Sequence, residues 1–416
     1  MLAMDVPDQS EVIVVTAPRL PEAPGEAAYS AFQIDPPVLG AAWRLDQALA
    51  LAPAASLFRR NDSSAANPTV QGMSLRAIGP SGAGRALVTL DGVPQHDPFG
   101  GWVVWGALTP EAITHARIVR GGGAGPYGAG ALTGAVKLEE RTAQGATLRA
   151  EAGEHGFARL AGAGVIGDGG FNVLLAAALE RDDGWIPVRR GRGAADAMLW
   201  RDSGSGTVRV QTSLGRVLMS ARLSAYDETR GSGLVGADSS ADGAAASLAF
   251  VSAPGAGETG WRLQAWARES DMSNAFVSVA PNRASTTPAS LQYETPAFVW
   301  GANAAFRGRE SEMGVDVRAA DGETHELFRF AGGDFTRKRV AGGETLVVGT
   351  YAEGWRNFGN TLLSGGVRID WWEATHGMRV ESDRTDGAIL LEARADDSHA
   401  WMPTARLGLR RTYGDA

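Results

Sequence analysis

Two stretches decide the fold: Arg85-Ala86-Leu87-Val88-Thr89-Leu90-Asp91-Gly92-Val93-Pro94, and further on Ile118-Val119-Arg120-Gly121-Gly122-Gly123-Ala124-Gly125-Pro126-Tyr127-Gly128-Ala129-Gly130-Ala131-Leu132-Thr133-Gly134-Ala135-Val136-Lys137-Leu138. The first reads as a strand entering a tight turn, because Asp-Gly accepts the positive φ that short hairpins demand. The second reads as strand, glycine-rich turn, strand. Gly123 to Gly128 also fits the G-x-G-x-x-G spacing of a dinucleotide-binding loop. Such a loop must open a helix whose N–H groups hold the pyrophosphate. Here more small residues and a strand follow, and Pro126 removes an N–H. The glycines are therefore read as sharp turns in a compact β-rich unit.

Working outward, Val70-Gln71-Gly72-Met73-Ser74-Leu75-Arg76 predicts a preceding strand. Leu45, Ala48, Leu49 and Ala52 share one face of a short helix over 44–52, ended by Pro53. Thr109-Pro110-Glu111 predicts an N-cap, a proline at the first helical position and an acid in the first turn. Glu11-Val12-Ile13-Val14-Val15-Thr16-Ala17 is a β-branched run, and Pro18, Pro21 and Pro24 forbid a helix after it. It is a strand with no sheet of its own, suited to adding to a partner's edge.

Bulk properties narrow the class. The 416 residues are 44% hydrophobic and 21% charged, which excludes a disordered chain. Fifty-five glycines favour turns over long helices. A net charge of −8 without a basic block disfavours nucleic acid. With no cysteine, neither disulfides nor thiolate metal sites arise. No apolar run reaches the ~18 residues of a spanning helix, and no leader is visible at the start. The six histidines form no H-E-x-x-H, and neither a G-x-S-x-G nor a Walker loop occurs. No enzyme, resident cofactor or metal is expected.

From about Gly145 the texture changes to period-two alternation. Val217, Met219, Ala221, Leu223 and Ala225 face one way against Ser220, Arg222 and Ser224. Trp261, Leu263, Ala265 and Ala267 oppose Arg262, Gln264 and Arg268. Short turns alternate with long polar connections near 182–204, 228–242, 271–293, 321–343 and 373–386. Transmembrane barrels show that alternation. Nine of the 12 tryptophans lie in this half, many near strand ends, where barrels place interfacial girdles. About 13 strands are expected, against ~22 in plugged transporters.

The two opening stretches resemble the plug domain of TonB-dependent outer-membrane receptors, with Asp91, Gly92 and Pro94 in the first motif and Arg120, Gly121, Tyr127, Gly128 and Gly134 in the second. Residues 11–17 resemble the TonB box. Gln71, Gly72 and Arg76 resemble the first plug strand, although Gln71 stands where that family usually has Arg, which leaves one plug–barrel ion pair in doubt. The resemblance implies a mainly β fold: a periplasmic segment over 1–30, a small α+β plug over 31–140, and over 145–416 a transmembrane antiparallel β-barrel lacking its C-terminal strands. An unclosed wall would leave two lipid-facing edges unpaired, at several kcal/mol per orphan group. The chain is therefore expected to be a fragment or interrupted product.

The resemblance further implies TonB-energised uptake, across the bacterial outer membrane, of a ferric siderophore, another metal chelate or cobalamin. TonB with its inner-membrane energising complex, a small-molecule ligand and outer-membrane lipid would be the partners of a monomeric receptor. The loop Gln95-His96-Asp97-Pro98-Phe99-Gly100-Gly101-Trp102 would supply ligand contacts through Gln95, His96, Asp97, Phe99 and Trp102. Trp105 stands beside it to stack on a ligand or pack on the barrel. A signalling receptor, a non-functional fragment and a soluble β-rich binding protein are the alternatives.

Overall fold

In the computed structural model, residues 17–413 are described except 54, 60, 77–82, 129, 169 and 255–258. Glu11 to Thr16 lie outside the described residues, and Ala17 is the first within them. The N-terminal unit contains β1 (Ser30–Ile34), α1 (Pro36–Ala41), α2 (Leu45–Leu49), β2 (Ser56–Leu57), β3 (Met73–Ser74), β4 (Ala86–Leu90), β5 (Val93–Pro94), β6 (Ile113–Arg120) and β7 (Gly134–Glu140). Five of these form a sheet in the order β1-β6-β7-β4-β5.

Asp91 and Gly92 have φ of 46° and 88°, the pair of left-handed residues that a two-residue hairpin needs between β4 and β5. β4 lies parallel to β7, so the chain between them must cross over, and the near-continuous burial of both strands follows from cover on two faces. Leu39, Leu45, Leu49, Leu75, Val88, Trp105, Ile118 and Val136 fill the core between helices and sheet. Gly123 and Gly128 close the glycine-rich turn by a Gly128 N–H to Gly123 carbonyl bond of 3.0 Å, and β7, not a helix, follows.

Three local expectations are corrected. The strand at 70–76 shrinks to Met73–Ser74, because Pro68 starts a single 3-10 turn through Val70. After Thr109 only one 3-10 turn forms, Pro110–Ala112, and Thr109 does not cap it. Its hydroxyl lies 3.4 Å from Ser205 of the second unit instead.

The second unit is one antiparallel sheet: β8 (Gly145–Ala152), β9 (Ala158–Gly167), β10 (Phe171–Asp182), β11 (Arg201–Leu214), β12 (Val217–Gly231), β13 (Asp238–Ser252), β14 (Gly260–Val279), β15 (Thr286–Glu294), β16 (Ala297–Arg307), β17 (Ser311–Ala331), β18 (Asp334–Phe358), β19 (Thr361–Asp383), β20 (Ile389–Arg394) and β21 (Ser398–Arg411). β15 and β16 both pair with β14 and β17, and β20 and β21 both pair with β19. Each couple is one strand interrupted, so the 14 strands make a wall of twelve positions, against about thirteen expected.

Alternation sets the two faces of this wall. Leu175, Leu179, Leu223, Leu263, Val367, Leu407 and Leu409 are exposed on the outside, while Leu174, Arg209, Ser220, Gln264 and Arg368 are buried on the inside. Each outward leucine stabilises a lipid-facing wall by about 2 kcal/mol once taken from water. Among the described residues no helix is long and apolar enough to cross a membrane, which says nothing of a β-barrel.

The expected long loops at 321–343 and 373–386 are largely strand. β17 and β18 run on to a tight Gly332-Gly333 turn, and β19 continues to Asp383. At ~3.4 Å per residue β18 is about 85 Å long, far more than a ~25 Å apolar belt requires. Beyond such a belt both strand faces meet water, so the ladder continues while its hydrophobic alternation disappears. The tryptophan girdle is likewise incomplete. Trp300 and Trp401 point outward, but Trp266 and Trp355 turn inward and are buried.

Candidate functional site

The N-terminal unit is held against the inner face of the wall by polar contacts, and every one of the twelve wall positions touches it. On β8, Arg149 donates to the Gly40 carbonyl at 2.6 Å. On β9, Arg159 grips Glu111 with two bonds of 2.6 and 2.8 Å. Glu180 of β10 and Glu228 of β12 flank Arg44 at 3.6 and 2.8 Å. On β11, Arg209 bridges Asp91 at 3.2 Å and Glu140 at 3.0 Å. Ala241 of β13 packs with Trp102. On β14, Gln264 donates to the Asp91 carbonyl and Arg268 to Gln95. Arg307 of β16 reaches the Pro21 carbonyl. Gly322 of β17 lies under Phe99, and Trp355 of β18 lies against Gly25. On β19, Ser364 donates to Tyr29, and on β21 the Arg406 guanidinium covers the Tyr29 ring at 4.3 Å. A sheet that meets one small unit along all its positions must curve around it.

Of the sequence-predicted motif residues, Asp91, Gly92 and Pro94 face the wall. Asp91 sits between Arg19 and Arg209, at 2.8 and 3.2 Å. Burial pushes its carboxyl up to about 6, against the pull of both guanidinium groups. Gly92 presses on the wall: an added Cβ would lie 3.0 Å from Arg262 and from Gln264. The Pro94 carbonyl faces Arg268 at 3.5 Å. Tyr127 donates to Glu26 at 2.7 Å, and burial raises its hydroxyl well above the ordinary range. Burial also pulls Glu26 up, but Lys137, Tyr127 and Arg117 outweigh it and hold the carboxyl low.

Gly121, Gly128 and Gly134 all have positive φ, and Arg120 ends β6 ahead of them. Gly72 gives its carbonyl to Phe58, and Arg76 is exposed with φ 62°. Gln71, in the position of the missing arginine, donates to the Ala66 carbonyl at 3.1 Å. From the wall, Arg230 of β12 donates to the same carbonyl and, at 3.0 Å, to that of Ser63.

The proposed ligand loop is mostly turned inward. His96 donates from Nδ1 to the Gly101 carbonyl at 2.7 Å and accepts the Val88 N–H at Nε2, 3.0 Å away. Both ring nitrogens are thus engaged by backbone, and burial lowers its pKa to about 4. Asp97 accepts from the Phe99 and Gly100 N–H groups and from Ser270 of the wall, and burial raises its pKa. Gln95 is tied to Val93 and Arg268. Trp102 is buried against the wall, and Trp105 is fully buried with its indole N–H on the Gln71 carbonyl. Phe99 is the exposed member of the predicted set. No cluster of three or more metal-binding side chains occurs among the described residues.

Sequence reading did not find the ion-pair partners Arg44–Glu228 and Arg159–Glu111. Their signal was present only as inward charges on alternating wall positions, with nothing to pair them.

Residues 39–135 match the family described as "TonB-dependent Receptor Plug Domain". Among solved structures, the chain is similar to the ferric citrate transporter FecA in the unliganded form, at 15% identity and TM-score 0.65 over 94% of this chain and 61% of that one. It is similar to the ferric yersiniabactin uptake receptor FyuA from Yersinia pestis, at 14% identity and TM-score 0.71 over 93% and 63%. It is also similar to the copper transporter OprC, at 16% and 0.73 over 92% and 62%. No curated protein matches the sequence. The chain spans about three fifths of the length of these structures and has the plug-and-barrel fold of TonB-dependent receptors.

Proposed function

We propose that this chain, with a TonB-dependent receptor plug domain inside the barrel wall of that fold, is the receptor part of a TonB-energised outer-membrane uptake system for a small-molecule ligand. The observation that carries the reading is the seating of the plug against every wall position, which makes the plug a stopper for the lumen. The apolar outer face suits lipid, and the polar lumen suits a solute. A metal chelate is the ligand class favoured, because the similar structures are described as ferric citrate, ferric yersiniabactin and copper receptors or transporters.

In this reading Glu11 to Ala17 add as a strand to TonB on the periplasmic side, and force on them passes to Arg19 and Glu26. Arg19 holds Asp91 and Glu139, and Glu26 holds Lys137 and Arg117, so the pull enters the plug sheet at β4, β6 and β7. The receptor acts as a monomer. The test is capture of the detergent-solubilised receptor on immobilised periplasmic domain of TonB. Wild type is retained, and Val14→Pro, which deletes one strand N–H, is not. Equal retention of both proteins, or of neither, would overturn the reading.

A further inference from the structure

Between plug and wall, under β4 and against β14 to β18, lies a cavity of about 470 Å³. Its lining is rich in charge, and nearly all of that charge is matched. Glu26 is bound by Arg117, Lys137 and Tyr127. Asp91 and Glu139 share Arg19, and Glu22 lies 3.0 Å from Arg117. Glu312 takes Arg307 and, at 2.6 Å, the Tyr351 hydroxyl. Asp316 is bridged by Arg368 at 2.7 Å, and Glu353 takes Arg406.

Two cations in the same lining remain. Arg262 on β14 and Arg318 on β17 make no hydrogen bond or ion pair among the described residues, and Arg262 Nε is buried without an acceptor. The carboxylates whose field reaches Arg318, Asp316 and Asp370, are both held by Arg368. A guanidinium with no acceptor forgoes charge-assisted bonds worth roughly twice a neutral one. Tyr127, Trp266 and Tyr351 line the same space with apolar ring surface. The cavity wall thus has spare donors and no spare carboxylate.

We infer that this cavity is an anion subsite, with Arg262 and Arg318 receiving a carboxylate- or phosphate-bearing solute between plug and wall. The inference rests on the proposed uptake reading and narrows its substrate class to solutes with free oxyanion groups. Guanidinium planes match such groups, and the low-dielectric wall strengthens each contact. Strands β14 and β17 fix the two residues on the barrel, so the subsite stays in place when the plug shifts.

The experiment is equilibrium dialysis of the whole detergent-solubilised chain against tricarballylate and, separately, inorganic phosphate, at low and high NaCl. Wild type binds at least one of the two saturably, more weakly in high salt. Arg262→Gln and Arg318→Gln each weaken binding at least tenfold, and Arg411→Gln on an exposed wall position leaves it unchanged. Arg262→Lys and Arg318→Lys retain part of the affinity, which separates lost charge from lost fold. Tricarballylate binding without phosphate binding assigns a carboxylate solute, and the converse a phosphate. Failure of wild type to bind either probe, or equal binding by the Gln variants, overturns the inference. TonB capture is read without any anion, so the uptake reading stands or falls separately.

Discussion

Arg159 on the barrel wall and Glu111 in the plug form a two-pronged ion pair with both side chains almost sealed from solvent, 1% and 3% exposed. Neither partner has water to fall back on. Glu111→Ala should therefore destabilise the seated plug by about 3–5 kcal/mol, because it leaves a buried guanidinium with only the Glu151 carboxylate, 3.8 Å away. Replacing both partners by apolar residues should recover most of that loss. A double-mutant cycle by chemical denaturation in detergent measures it, and additive single effects would refute coupling.

His96 gives a pH prediction with a definite sign. Its folded pKa is lowered to about 4 from 6.5, chiefly by burial. The stability it contributes is fully present above pH 6.5 and is lost as pH falls through 4. About 3 kcal/mol is at stake. Protonation of Nε2 would also break the bond from the Val88 N–H. Imidazole NMR should show no His96 titration above pH 5, and a midpoint near 6.5 would contradict the buried bonding.

Gly134 and Gly121 separate two costs of a side chain. Both have strongly positive φ, 146° and 134°, a backbone conformation that strains an alanine at either position. An added Cβ at Gly134 would stand 2.3 Å from the Val119 carbonyl oxygen, whereas at Gly121 nothing lies within 4 Å. Gly121→Ala should cost about 1–3 kcal/mol, and Gly134→Ala clearly more. Thermal unfolding ranks them.

Gln71→Arg introduces the residue type that the plug resemblance leads one to expect but should destabilise the protein by about 1–3 kcal/mol. The Ala66 carbonyl already receives Arg230, and a second guanidinium would compete beside it. Adding Arg230→Gln should bring stability back. Equal melting of single and double variants would show that the two positions do not share one acceptor.

Much of this was readable in one dimension. Asp91-Gly92 specified a hairpin because positive φ at two successive residues is cheap for that pair and few others. Gly123 to Gly134 specified a turn between strands, since its small residues lead into β-branched ones. Val217 to Ala225 declared which face of β12 looks outward, because a strand's period of two leaves no choice once one face is apolar.

The limits of that reading have physical causes as well. The far parts of β17 to β19 lack a clean hydrophobic alternation, so their sequence resembles loop while their backbones stay paired. Thr109 spelled an N-cap, yet contact with the wall at Ser205 and the pull of Arg159 on Glu111 settled the turn. By itself the sequence determined most of the strands and turns and the wall's inside and outside, which follow from backbone sterics and side-chain alternation between neighbours along the chain. Only the tertiary structure decided that backbone groups engage His96 and that Ser270 of the wall engages Asp97, that Arg230 meets the same carbonyl as Gln71, and that Arg262 and Arg318 are left over in a shared cavity. Apart from the His96 bonds, which close within eight residues, those outcomes depend on groups that meet from distant parts of the chain, and such a meeting leaves no periodic mark on either partner.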